Sequence, residues 1–539
     1  MIAALCLLAG LFSLLALPPA VRVLTDYHAP AVNKSIPAVN GQRLADRVVV
    51  VVLSGVSNAD LDAPGDPWRF VQLRRRAGEG AYGTVQAVQP SGDAPTWATL
   101  LSGAGPAVSG VVDRSSSRPL SVPTLFDLAR RAGKRSAVVM SRVAWQGRAV
   151  IATPDRIMLA ASSSVVADQA VALLRGRSEE LVMVLLDAGR VLGAAPGERW
   201  ARVDRQFAAI VAALDPAHDT LIATADHGFL ADGSSGGDEQ QAVAVPLVLW
   251  GRAINGTAIG SVDQRDIAPT VSALLGLAYS PYGGTPLLDA LRLTPAQRAA
   301  ELIRLLDIKV SSAGSTAASA PTVDAARALA TARSLYERQD WNGAADEARR
   351  GLVALAQTPP LPWFWTSAWV WGGIVPLLLL GLGRLAGRFR RELLRMLLPF
   401  AGLGAYLLVW SSIYFLLAGK PLSLSAIYGG WSTNLLMIGF WSALALLVVA
   451  GGMGFARMRG GALIAAVELG LAALLIVGSL AGFAVAYVFV TGLPGSRIPD
   501  LTGWTLLLVA LVLAAGAGLA TPFGMLVAAA VGEIGSRGR

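Results

Sequence analysis

Residues 48–55 read VVVVVLSG: five valines and a leucine, stopped by Ser54 and Gly55. A run this short and this continuously apolar, built from β-branched side chains, suits a strand buried on both faces of a parallel sheet. Three more runs share the pattern: LVMVLL at 181–186, TLIATA at 220–225 and VPLVLW at 245–250. Helical stretches alternate with them, for instance at 123–132 and 200–214. Residues 47–292 therefore read as one α/β domain with a mostly parallel sheet and helices on both faces, long enough to bury a large core.

The rest of the chain has a different solvent. Of its 539 residues 54% are hydrophobic and only 15% charged, against roughly 25% charged in a soluble protein. That excludes a wholly soluble or disordered chain. The 45 basic residues exceed the 36 acidic ones by nine, but no basic run points to nucleic acid. A lone cysteine, Cys6, leaves no internal disulfide.

Residues 1–21 are apolar throughout and long enough to span a bilayer. A cleavable signal peptide is the rival reading, but there is no basic leading segment and the apolar part is too long for one. A linker follows at 22–46. Five further apolar runs, at 362–383, 396–418, 433–455, 462–490 and 503–530, make a membrane domain of 359–539. One set of connecting segments holds Arg384, Arg388, Arg390, Arg391, Arg395, Arg457, Arg459, Arg537 and Arg539, the alternate set only Lys420 and Arg497. Basic loops stay in the cytoplasm. The expectation is six spans in a bacterial plasma membrane, both termini cytoplasmic and the α/β domain outside. Its partners would be the lipid bilayer and other membrane or envelope proteins. Glu468, the one acid well within a run, suits bundle-interior or interfacial packing. Residues 293–358 read as a helical spacer with one tetratricopeptide-like hairpin turning at Trp341 and Gly343.

In open parallel sheets ligands bind beyond the carboxyl ends of the strands. There the first run ends in Ser54 and Gly55, the second in Asp187-Ala188-Gly189-Arg190, and the third in Asp226-His227-Gly228. Asp93-Ala94-Pro95 opens a further apolar helix, whose N-terminus favours anions. Acids, one histidine and a helix N-terminus converging at one edge make a candidate phosphate or metal pocket.

The order of the blocks VVVVVLSG, DAPTWATLLSGAGPAVSGVV, PTLFDLARRAGKRSAVV, LLDAGRVLG, TADHGF, GSSGG, VPLVLWG and DQRDIAPTVSALLGL resembles the alkaline phosphatase superfamily. Among its branches, the nucleotide pyrophosphatase/phosphodiesterase type is the one resembled. The layout of anchor, outer domain and several later spans is similar to that of GPI ethanolamine phosphate transferases. The resemblance implies two divalent metals, usually zinc, around a Thr or Ser nucleophile. Carried over residue by residue, the first-strand Asp ligand falls on Ser54 and the nucleophile on Asp93. The next Asp ligand corresponds to Asp187 at a spacing one residue short, and its histidine falls on Arg190. The Asp-His pair is intact as Asp226 and His227, while the last histidine falls on Ser235. The chain has three histidines in all, His28, His218 and His227, and only His227 lies where a ligand would.

Two functions compete. In the first, the domain has lost its nucleophile and most ligands, holds no cofactor, and is a non-catalytic scaffold or a phosphate- or lipid-binding subunit, with Arg190 able to grip a phosphate in place of a metal. In the second, one divalent metal, zinc or manganese, is held by Asp226 and His227 with Asp187 or Asp93, and the domain is a divergent phosphodiesterase or phosphotransferase for lipid-linked or nucleotide phosphodiesters. Each residue also has a local role open to it: Asp93 as a helix N-cap, Asp226 and His227 in a hydrogen-bonded turn, Asp187 and Arg190 as an ion pair.

Overall fold

The valine run forms the first strand, β1 (Arg47–Ser54), and every residue of it is buried. Seven strands follow: β2 (Ala81–Gln86), β3 (Ser136–Ser141), β4 (Arg156–Ala160), β5 (Leu181–Asp187), β6 (Asp219–Thr224), β7 (Ala244–Trp250) and β8 (Ala258–Asp263). They make one sheet in the order β4-β3-β5-β1-β6-β7-β2-β8. The structure is a computed structural model that describes residues 1–25, 27, 29, 41–62, 70–112, 120–146, 148, 153–187, 196–230, 233–313, 320–356, 402, 404–417, 425, 431–456, 462–491 and 501–537.

β1 lies between β5 and β6 and is parallel to both. β7 differs: it runs antiparallel to both β6 and β2, although its apolar run matches those of the parallel strands. A continuous run reports burial on both faces, which β7 has in mid-sheet; it carries no information on direction. The expected helices form over Leu125–Arg131 and Pro196–Ala212. The first starts at Thr124, whose side chain and that of Asp127 cap each other's backbone N–H groups. At the amino ends of the central strands, Arg47 and Asp219 form a buried bidentate pair at 3.0 and 2.6 Å.

Residues 27–358 form one compact unit. Its later helices, Pro295–Ala313, Ala320–Glu337 and Trp341–Ala356, share a core with the sheet. The hydroxyl of the buried Tyr279 donates to Glu301 at 2.5 Å, tying the first of these helices to the α/β layers.

The second unit contains residues 1–26 and 359–539. Its long helices are Ile2–Thr25, Trp431–Ala456, Ala462–Thr491 and Leu501–Arg537. Among the described residues, three segments are long and apolar enough to cross a membrane: Ile2–Arg22, Thr433–Phe455 and Trp504–Val531. Ala462–Gly478 is a shorter apolar stretch. The run expected at 362–383 lies outside the described residues, and 396–418 is described only in part, ending in π-helix over Ser412–Leu417. Without a hydrophobic force between helices in lipid, close backbone contact does the holding. A Cβ on Gly518 would stand 2.7 Å from the Cα of Gly10, and one on Gly516 would stand 2.3 Å from the Gly439 carbonyl oxygen. The Tyr406 and Ser442 hydroxyls meet at 2.6 Å, and Ser442 donates to the Leu513 carbonyl at 2.9 Å.

Candidate functional site

The sheet delivers its chemistry to one edge. Ser54 ends β1 in register with Asp187 at the end of β5. β6 ends at Thr224, and the chain continues through Ala225 to Asp226-His227-Gly228, held beside β1 by the Gly55 N–H donating to the His227 carbonyl at 3.0 Å. The helix Asp93–Ser102 begins at the same edge; Gly92 is its N-cap and makes no side-chain cap bond. Asp93 thus does not serve as the N-cap: it occupies the first turn and turns its carboxylate to the cluster. From β3 the chain passes through a short helix, Arg142–Gln146, to Arg148.

These residues close on one another. Arg148 Nη2 donates to Asp93 Oδ1 at 3.1 Å and to Asp226 Oδ2 at 2.7 Å, and its Nη1 donates to the Ala144 carbonyl at 3.0 Å. Asp226 Oδ2 also accepts from the Ser54 hydroxyl at 3.0 Å, its Oδ1 from the His227 N–H at 2.9 Å, and its carbonyl from Gln264 Nε2 at 2.7 Å. His227 places Nε2 2.9 Å from Asp93 Oδ1 and Nδ1 3.0 Å from the Gly228 carbonyl oxygen. Asp226 and His227 are fully buried, Arg148 is 4% exposed and Asp93 8%.

Both ring nitrogens of His227 stand within hydrogen-bond distance of oxygens, a carboxylate and a carbonyl, a setting that favours the protonated ring. Its electrostatics agree. Burial works to lower its pKa, but the Asp226 and Asp93 carboxylates and the Gly228 carbonyl outweigh burial, and the pKa is raised above the ordinary histidine value. Burial likewise works against the Arg148 charge, and Asp93, Asp226 and Asp187 more than compensate. The cluster is two cations against two carboxylates, with the half-buried Asp187 adding negative potential.

Asp93, Asp226 and His227 do offer one donor atom each, all within 4.8 Å of one another. The metal implied by the family resemblance nevertheless does not fit these residues as they stand. The guanidinium occupies the carboxylate faces that would hold an ion, with Nη2 3.1 Å from Asp93 and 2.7 Å from Asp226. Asp187 is not part of that donor group. Ser54 is a hydrogen-bond donor to Asp226 rather than a ligand's equal. Ser235 is fully buried in the segment hydrogen-bonded to Ser91, and its hydroxyl has no partner among the described residues. Arg190 and His28 lie outside the described residues, and His218 pairs with Asp215 at 2.8 Å on the exposed side of the domain.

Sequence reasoning missed Arg148 and Gln264. Arg148 lies seven residues beyond Ser141, past the carboxyl end of β3, where no local pattern marks it. Gln264 follows the end of β8 in the same way.

No family model matches the chain, and no curated protein matches it. Solved structures do resemble it. Murine ectonucleotide pyrophosphatase/phosphodiesterase 5 is 15% identical over 46% of this chain and 100% of that one, with a TM-score of 0.39. The lipoteichoic acid synthase LtaP from Listeria monocytogenes is 12% identical over 50% of this chain and 82% of its own, with a TM-score of 0.37. A putative sulfatase from Bacteroides thetaiotaomicron is 15% identical over 46% and 74%, with a TM-score of 0.36. These are proteins of the kind the sequence motifs resemble, and likenesses at this level say nothing of what the chain does.

Proposed function

We propose that this chain is a membrane protein whose α/β domain is a non-catalytic scaffold on the outer face of the plasma membrane, binding other envelope proteins rather than processing a phosphodiester. One observation carries the reading: Arg148, Asp93, Asp226 and His227 are buried and satisfy one another's charge. Metal-assisted phosphoryl transfer needs an activated nucleophile and free ligands beside it. The nucleophile position is a carboxylate already engaged by two cations, and the ligands are engaged too. The same saturation argues against a phosphate-binding subunit, because both described cations at the edge are already matched by carboxylates. The arginine-rich segments support six spans with both termini inside and the domain outside.

A second reading, a divergent one-metal phosphodiesterase, is favoured by the Asp93, Asp226 and His227 donor group. Turnover of bis-p-nitrophenyl phosphate by the detergent-purified chain, with zinc or manganese supplied, separates the two. We expect no hydrolysis above that of the Asp226→Ala variant. Hydrolysis that disappears in that variant would support the enzyme instead.

A further inference from the structure

We infer that the Arg148 guanidinium is the cation around which this edge is built, and that it occupies a latent divalent-metal site made by Asp93, Asp226 and His227. The inference rests on the non-catalytic reading and adds what holds the site shut. Two carboxylates and an imidazole are a donor set suited to zinc, and their donor atoms lie within 4.8 Å of one another. An ion roughly 2 Å from each needs only small shifts, since His227 Nε2 stands 2.9 Å from Asp93 Oδ1 and 3.9 Å from Asp226 Oδ2. Among the described residues, the group that keeps an ion out is the guanidinium, whose Nη2 lies 3.1 and 2.7 Å from the two carboxylates.

Arg148 is placed for its charge rather than for its own hydrogen bonds. Its Nε is buried and has no partner among the described residues, a loss tolerated where a full positive charge is needed beside two buried carboxylates. Its side chain comes from β3 by way of the short helix Arg142–Gln146, whereas the donors come from β6 and from the helix Asp93–Ser102. Shortening the side chain therefore removes the cation without touching the segments that carry the donors. The space left would be lined by two carboxylates and one imidazole, a donor set of net negative charge that a divalent ion neutralises.

The test is the full-length Arg148→Ala variant, produced in zinc-free and in zinc-supplemented medium beside the wild type, with folding judged by size-exclusion profile and zinc by elemental mass spectrometry. Expected is one zinc per chain in the variant and none in the wild type, with a melting temperature lowered without zinc and restored by it. Zinc uptake should be lost in the Arg148→Ala, Asp226→Ala double variant. A folded Arg148→Ala chain without zinc would overturn the inference. So would a variant that folds in neither medium, since the ion would then have failed to replace the guanidinium. Zinc in the wild type would overturn the inference and the non-catalytic reading together.

Discussion

His227 holds its charge because two carboxylates and a carbonyl surround it, and that charge has a pH signature. Its folded pKa is raised above the unfolded value of about 6.5. The folded state then binds the proton more tightly than the unfolded state. The resulting stabilisation is complete below about 6.5 and is lost as pH rises through the raised folded value. The melting temperature of the wild type should therefore exceed that of His227→Gln most at acid pH, with the gap narrowing as the solution becomes alkaline. A gap that is constant with pH would mean that folding leaves the pKa unchanged, and one that widens as pH rises would mean that the ring is neutral when buried. At this scale the sequence was legible for Asp93, Asp226 and His227, because strand ends and a helix start are marked by local pattern. Arg148 was not legible. Nothing in RVAWQGR distinguishes an arginine that returns to the core from one that stays in water, and the decision is made by carboxylates 55 and 78 residues away in the chain.

At the level of elements, the edge is formed by backbone that tolerates no intrusion. Gly228 follows His227 where the chain passes between Ser57 and the Gln241 carbonyl. A Cβ there would come within 1.9 Å of that oxygen and 2.8 Å of the Ser57 Cβ. Gly228→Ala should cost about 1–3 kcal/mol of stability, the range for forced overpacking, measured as a lowered unfolding midpoint; an unchanged midpoint would mean that the turn is not held as described. The glycine of this Asp-His-Gly turn thus has a packing reason independent of any metal. Four strands were legible from their apolar runs because β1, β5, β6 and β7 are all buried on both faces. The reversed direction of β7 was not, because pairing direction is decided by connections across the sheet rather than by the residues of the strand.

Across the whole molecule, two units with different solvents share one chain. Composition made both legible: low charge and long apolar runs for the helical unit, short β-branched runs for the α/β unit. The outward orientation of the α/β unit is an expectation from arginine placement, and the single cysteine makes it easy to test. Cys6 is buried, so the wild type should resist a membrane-impermeant maleimide. Thr257 lies exposed just before β8. Thr257→Cys should be labelled in cells with a sealed plasma membrane, and labelling only after permeabilisation would invert the topology.

The most direct measurement is the metal content of the wild-type chain, purified in detergent without any chelator and analysed by elemental mass spectrometry beside Asp226→Ala. If Arg148 fills the cation position, neither protein contains zinc or manganese in stoichiometric amount. One ion per wild-type chain that is absent from Asp226→Ala would contradict this, and would return Asp93, Asp226 and His227 to the role of ligands.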